Sequence, residues 1–228
     1  MQGSYLRLSA ALLVLALMYP MLGQGLGGLA AWTVAFWLVL LGALHAVGTT
    51  SHVRRLGRIL AVVAFGAGIA GLACYNLRDS DHDWIFAVLD GLTLLFLVLA
   101  TGVTLVDVLF RQTIDADHLL GAACVYVLLG LTFAYLLPVL EALSSAPIID
   151  PGVTTDVGTE AGLVRAEYLY FSFVTLSTLG YGDIAPIALT ARLVAGVEAI
   201  LGQLFLTILV ARLIGLHIAR REPDSPSG

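Results

Sequence analysis

The stretch Thr175–Asp183, TLSTLGYGD, places two glycines on either side of a tyrosine, directly after a run of hydroxyl-bearing residues. It lies late in a chain of 228 residues that is 59% hydrophobic and only 12% charged, with a mean hydropathy of +0.96. This composition excludes a disordered chain and disfavours a soluble domain. Because glycine is a poor helix former and lipid penalises open backbone, the backbone of this stretch must itself serve a purpose.

Six apolar segments approach the length of about 20 residues that a membrane-crossing helix needs. We therefore expect an all-α membrane protein with six transmembrane helices and no room for a soluble catalytic domain. The first segment could also be a secretory signal, but no small-residue cleavage site follows it, which favours a retained helix. The predicted helices are Leu6–Leu22, Leu29–Val47, Ile59–Tyr75, Trp84–Phe110, Leu119–Leu140 and Ile187–Ile218.

Arginine supplies all eleven basic residues of the chain. With six crossings most of them fall on one side of the membrane, where they include the cluster Arg54, Arg55 and Arg58. The positive-inside rule makes that side cytoplasmic. We therefore expect a multi-pass protein of the plasma membrane with both termini in the cytoplasm, the lipid bilayer as a partner, and no nucleic acid.

The segment between the fifth and sixth predicted helices does not fit a simple crossing. Its first part, 141–167, is polar and rich in glycine, proline and threonine, and is interpreted as an external loop. The apolar run YLYFSFVTLST that follows is long enough for a short helix only, and LGYGDIAP then breaks it. We predict a half-helix over Glu167–Ser177 that enters the membrane and returns as extended chain, which is tolerated only inside protein or beside water.

The residues Thr178-Leu179-Gly180-Tyr181-Gly182-Asp183, here called the filter segment, resemble the potassium-channel filter Thr-Val-Gly-Tyr-Gly-Asp, with leucine in place of valine. The resemblance covers about Leu119 to Leu216, a unit of helix, pore loop and helix. It implies a potassium-selective channel that uses no cofactor and passes K+ as the permeant ion. The implied K+ ligands are the hydroxyl of Thr178 and the carbonyls of Thr178, Leu179, Gly180 and Tyr181.

The backbone of such a filter requires residues that alternate between right- and left-handed conformations, so that the carbonyls face the ion. Gly180 and Gly182 reach positive φ at little cost, whereas a β-branched residue there is strained. The half-helix Glu167–Ser177 would direct its negative dipole end at the cavity, which favours a cation. Since one chain offers one pore loop and a closed ring of carbonyls needs four, we expect a homotetramer with C4 symmetry.

Filter support is expected from the half-helix. The family often has paired tryptophans there, whereas this chain has Tyr170 and Phe171. Because the Phe171 ring forms no hydrogen bond, Thr175 is the favoured partner for the hydroxyl of Tyr181. Some family members also place a glutamate behind the filter, but here that position is Val174, so its carboxyl pair with the filter aspartate is absent.

Glu198 is a carboxylate inside the apolar sixth segment, where such a residue is expensive and functional by default. It lies one turn before Gly202 and is expected to point toward the half-helix rather than the pore axis. Two roles remain open. The carboxylate accepts a hydrogen bond from a filter-backing hydroxyl, Ser177 or Thr175, or it is a protonatable gate element.

The sixth segment also offers a candidate cavity and gate. Gly202 falls at the family's hinge glycine, although a small residue for close helix packing explains it about as well. Four positions at helical spacing form a stripe on this segment that could face the pore. In that case Gln203 would line a water-filled cavity below Thr178, and the later positions could form a hydrophobic constriction. The stripe could equally be part of the core of the helix bundle. The proposed stripe is Gln203, Leu206 or Thr207, Val210 and Ile214.

The predicted domains are a four-helix membrane domain at 1–112, a pore domain at 113–219 and a short cytoplasmic tail at 220–228. The first resembles a voltage-sensor bundle, but its fourth helix contains no arginine or lysine and instead carries Asp90 and Asp107. Steep voltage gating needs roughly 3–4 moving charges per subunit. We therefore expect weak voltage dependence.

Other classes are less well supported. A weakly selective cation channel remains the alternative within the class. A transporter subunit would show internal repeats with matching broken helices, and none is evident. An intramembrane enzyme could use the carboxylates Asp90, Asp107 and Glu198, but no catalytic motif accompanies them, and we expect no enzyme. The histidines lack metal-ligand spacing, and Cys74 and Cys124 lie in apolar runs typical of buried cysteines.

Overall fold

The computed structural model describes residues 83–110, 116–144, 149–150 and 161–219, together with scattered positions between 59 and 69. The predicted helices Leu6–Leu22 and Leu29–Val47 lie outside the described residues, as does most of Ile59–Tyr75, whose few described positions are helical. The elements are α1 (Asp83–Phe110), α2 (Ala116–Ala142), β1 (Ile149–Asp150), α3 (Ala161–Leu176), β2 (Ala185–Pro186) and α4 (Leu189–Ala219).

Three of these helices are long and apolar enough to span a membrane, through Ala87–Phe110 of α1, Leu119–Ala142 of α2 and Leu189–Arg212 of α4. They correspond to the fourth, fifth and sixth predicted segments. Polar side chains are accommodated within them by local bonding, as when the hydroxyl of Thr104 donates to the carbonyl of Ala100 at 2.8 Å. Such helices satisfy their backbone internally, as lipid requires.

The short helix α3 differs from its prediction at the N-terminal end. It begins at Ala161 rather than Glu167 and ends at Leu176. The sequence AGLVRAE of its first turns is rich in good helix formers, which the prediction assigned to a loop because glycine, threonine and proline precede them. At 16 residues the helix is about 24 Å long, too short to cross the hydrocarbon core of about 30 Å.

α3 packs between α2 and α4, and its buried contacts there form what we call the upper cluster. The two-residue strands β1 and β2 form an antiparallel pair beside this cluster, with Ile149 opposite Pro186. The pair ties the loop before α3 to the chain that follows the filter segment. The buried members of the upper cluster are Leu137, Ile149, Tyr168, Phe171, Ala191 and Ala195.

Two glycines allow α3 to approach its neighbours closely. A Cβ added to Gly130 of α2 would lie 2.7 Å from Cε1 of Phe173, and one added to Gly202 of α4 would overlap the carbonyl oxygen of Leu176. Both glycines are buried. Close contact of α3 with both spanning helices therefore depends on residues without side chains.

The far end of the bundle holds a second contact, in which α1 meets α4. Val108 of α1 is buried against α2, and Phe205 and Leu209 of α4 pack on the same cluster. Nη1 of Arg212 donates to the carbonyl of Val108 at 2.5 Å. Because Val108 lies in the last turn of α1, Arg212 satisfies one of the carbonyls that a helix end leaves without an internal partner.

Candidate ion-conduction site

The filter segment begins where α3 ends, and its backbone is anchored to the last turn of that helix. The amide of Thr178 donates to the carbonyl of Thr175 and the amide of Leu179 to that of Val174, each at 2.9 Å. The amide of Gly180 also reaches the Val174 carbonyl, at 3.3 Å. α3 therefore holds the first half of the filter segment in place.

Every second residue of the filter segment is in the left-handed region. The φ angles are 58° at Thr178, 55° at Gly180 and 80° at Gly182. This confirms the positive φ predicted for the two glycines. Such alternation turns successive carbonyls toward one side of the strand, which is the arrangement that a cation-binding backbone needs.

Thr178 was not predicted to adopt positive φ, and for a β-branched residue this conformation is strained. Its side chain is held by two hydrogen bonds. Oγ1 donates to the carbonyl of Ser177 at 2.7 Å and accepts from Nε2 of Gln203 at 2.9 Å. The expected placement of Gln203 beside Thr178 is therefore what the structure has, and α4 supports the base of the filter segment.

The far end of the filter segment is held by a pair that the sequence reasoning missed. The hydroxyl of Tyr170 on α3 donates to Oδ2 of Asp183 at 2.6 Å. This hydrogen bond raises the pKa of Tyr170 to about 12 and lowers the pKa of Asp183 from its ordinary value. The sequence does contain a signal for this pair, because a tyrosine replaces the family's tryptophan thirteen residues before the aspartate.

Among the described residues, the hydrogen bond expected between Tyr181 and Thr175 does not form. The Tyr181 side chain is 68% exposed and does not bond Thr175, because its ring extends outside the packing of its own chain. Phe171 is buried in the upper cluster. The hydroxyl of Ser177 donates to the carbonyl of Phe173 at 2.7 Å, so it bonds its own helix.

Glu198 is fully buried and faces α3, as predicted, but its partner is neither Ser177 nor Thr175. The Oε1 atom of Glu198 lies 2.5 Å from Oγ of Ser172. Helical register explains the difference. Gly202 contacts Leu176, and one turn earlier on each helix Glu198 therefore meets Ser172.

The remaining candidate gate residues all lie on α4. Gly202 is buried in an unbroken helix at its contact with α3, which favours the packing explanation over a hinge. The hydroxyl of Thr207 donates to the carbonyl of Gln203 at 2.8 Å. Leu206, Val210 and Ile214 are exposed in the single chain, as are residues on other faces of α4, so their exposure does not distinguish a pore-facing stripe.

A short helix that ends in an alternating glycine-rich strand and lies between two spanning helices is the arrangement typical of a pore-loop ion channel. In agreement, residues 122–217 match the family described as "Ion channel". This match and the similarity to a potassium channel agree with the predicted resemblance to pore-loop channels of the potassium-channel type. These matches support an ion-channel function in a membrane protein, which agrees with the expectation of a channel rather than an enzyme.

Two known proteins have sequences similar to part of this chain. Protein LctB of Geobacillus stearothermophilus is 28% identical over 127 residues, which cover 52% of this chain and 92% of that protein. Two-pore potassium channel 4 of Arabidopsis thaliana is 38% identical over 65 residues, which cover 28% of this chain and 22% of that protein. No solved structure shows a significant match to the chain.

Proposed function

We propose that this channel is potassium-selective and that its filter is formed by the filter segments of four copies of the chain. The observation that carries the proposal is the left-handed backbone at Thr178, Gly180 and Gly182 within the sequence TLGYGD. A potassium ion loses its hydration shell without penalty only where several carbonyls replace it. The similarity to a plant potassium channel supports the same ion.

The proposed K+ ligands are the hydroxyl and carbonyl of Thr178 and the carbonyls of Leu179, Gly180 and Tyr181. Beneath them, Gln203 would line a wet cavity, since its amide already bonds the Thr178 hydroxyl. Val210 and Ile214 would form a hydrophobic constriction further along α4. No resident cofactor is required, because conduction through such a pore is passive.

The exposure of apolar side chains in the single chain supports a homotetramer. Leu179 is 54% and Tyr181 68% exposed, although both lie on the filter segment. α4 also exposes large apolar side chains along its length and is the least buried of the three spanning helices. Neighbouring copies would cover part of this surface, and a closed ring of carbonyls with one loop per chain needs four.

The orientation follows from charge. Arginines on the loop between the second and third predicted helices and near both termini support cytoplasmic termini under the positive-inside rule. The proposed location is the plasma membrane.

The test is K+ flux into liposomes carrying the purified protein, compared between Gly180→Ala and Gly196→Ala. An added Cβ meets nothing within 4 Å at either position, so steric effects are matched. Of these two glycines, only Gly180 has a positive φ, 55°, at which alanine is strained. We expect Gly180→Ala to abolish K+ flux and Gly196→Ala to retain it.

Equal flux in the two variants would contradict the proposed filter. Sodium flux comparable with potassium flux in the unmodified protein would instead indicate a weakly selective cation channel. The purified assembly should have four times the chain mass of 24.1 kDa, and a conducting monomer or dimer would exclude the tetramer.

A further inference from the structure

Three helices meet at one buried hydroxyl. Oγ of Ser172 on α3 lies 2.7 Å from the carbonyl oxygen of Gly130 on α2 and 2.5 Å from Oε1 of Glu198 on α4. Ser172 and Glu198 are both fully buried. The site is separate from the filter segment, and neither conduction nor selectivity as derived above uses it.

Counting protons shows that this arrangement is incomplete with an ionised glutamate. A serine hydroxyl has one proton to donate and two lone pairs to accept with, whereas a backbone carbonyl and a carboxylate can only accept. If Ser172 donates to Gly130, its contact with Glu198 needs a proton from the glutamate. If Glu198 is a carboxylate, two acceptors at hydrogen-bond distance compete for a single proton.

The surroundings of Glu198 also disfavour a charge. Its second oxygen, Oε2, is buried and meets no hydrogen-bond partner among the described residues. Within the same part of the chain, no basic side chain forms an ion pair with it. An isolated carboxylate in such a place is far more costly than a neutral acid.

The titratable groups on the packed helices do not supply a compensating positive charge. Tyr126 of α2 lies within electrostatic range of Glu198 and is neutral or negative. On α3, Tyr168 lies one turn before Ser172 and is buried in the upper cluster, while Tyr170 bonds Asp183. On α4 itself Arg192 lies six residues away, and its Nε donates to the carbonyl of Pro186 at 3.1 Å.

We propose that Glu198 is a positioning residue held as a neutral carboxylic acid, which donates its proton to Ser172 while Ser172 donates to the carbonyl of Gly130. This relay joins α4, α3 and α2 through two hydrogen bonds in one direction. It fixes the rotation of α3 about its axis, and α3 in turn anchors the amides of the filter segment. The protonation state is independent of the ion that the channel selects, whereas the effect on flux rests on the proposed function.

The direct test is infrared difference spectroscopy of the purified protein in lipid, comparing the unmodified chain with Glu198→Gln. The carbonyl stretch of a protonated carboxylic acid should be present at neutral pH and absent from Glu198→Gln. Glu167→Gln, which alters a partly exposed glutamate of α3, is the control and should keep the band. Absence of the band in the unmodified protein at neutral pH, or its persistence in Glu198→Gln, would overturn the proposal.

The functional test is the pH profile of K+ flux. An amide at position 198 still donates to Ser172 but cannot ionise, so Glu198→Gln should retain flux and lose any decline at alkaline pH. Glu198→Ala removes the hydrogen-bond donor. The loss of a hydrogen bond of about 1 kcal/mol or more should reduce K+ flux about fivefold. Flux that falls equally in Glu198→Gln and Glu198→Ala would show that a carboxylate is required and would contradict the neutral acid.

Discussion

At the scale of single residues, the two ends of the filter segment are held in different ways. Thr178 is kept in a strained backbone conformation by hydrogen bonds to Ser177 and Gln203. Asp183 accepts a hydrogen bond from Tyr170, in which the charged acceptor strengthens the interaction, and is also bonded by the backbone of Asp183 and Ile184. The Thr178 end is therefore held by both α3 and α4, and the Asp183 end by α3.

The Tyr170–Asp183 bond makes filter stability depend on pH at both extremes. Because the pKa of Asp183 is lowered, the ionised carboxylate stabilises the folded state fully above the ordinary pKa of 3.8. This stabilisation is lost as pH falls through the lower pKa of the folded state. Because the pKa of Tyr170 is raised, its protonated hydroxyl stabilises the folded state fully below pH 10.0. This stabilisation is lost as pH rises through about 12. Stabilisation by this pair is thus greatest around neutral pH.

Replacing Tyr170 by phenylalanine should remove this pH-dependent contribution. We expect Tyr170→Phe to lower the Tm of the purified channel around neutral pH and to converge with the unmodified protein at acid pH. The measurement is Tm as a function of pH for both proteins. A Tm difference that stays constant down to strongly acid pH would show that the lost hydroxyl acts through packing and not through Asp183.

At the scale of helices, the spanning elements were predictable and their junctions were not. The continuous apolar runs that became α1, α2 and α4 carry a strong signal because lipid forces helix on any such segment. The start of α3 and the pairing of Ile149 with Pro186 depend on tertiary contacts that a local pattern does not encode. In the site, the glycine conformations followed from backbone sterics, whereas the partners of Glu198 and Asp183 required helical register across two elements.

The close approach of α3 to α4 should make Gly202 sensitive to a single methyl group. A Cβ there would overlap backbone at Leu176, which cannot move aside as a side chain can. We expect Gly202→Ala to destabilise the protein by about 1–3 kcal/mol, as overpacking typically does. Gly130→Ala should cost less, because its obstacle is the ring edge of Phe173.

Thermal unfolding in detergent measures this order, with Gly196→Ala as the matched control. That position lies in the same helix and offers open space, so alanine there should be neutral or stabilising through its better helix propensity. If Gly202→Ala were as stable as Gly196→Ala but altered gating, the hinge explanation would replace close packing.

At the scale of the whole molecule, α1 is attached to the pore unit but carries no basic gating charge, and nothing indicates that its acidic residues Asp90 and Asp107 move across the membrane field. It contains no basic residue, and its last turn meets α4 through Arg212 and the cluster around Val108. Each charge that crosses the field contributes about 2.3 kcal/mol per 100 mV, so a helix without moving charge contributes little. α1 is suited to packing or to a non-electrical input.

We therefore expect open probability to vary weakly with voltage. The measurement is a conductance–voltage curve from the reconstituted channel in symmetrical potassium. A steep sigmoid accompanied by gating current would contradict this expectation and would require charge movement elsewhere in the chain.

Selectivity is measured most directly by the reversal potential of single channels with potassium on one side of a bilayer and sodium on the other. A filter formed by left-handed backbone at Thr178, Gly180 and Gly182 predicts that current reverses near the potassium equilibrium potential, with sodium nearly impermeant. A reversal potential near zero under these conditions would show that both ions pass equally, and it would contradict a potassium-selective filter in this protein.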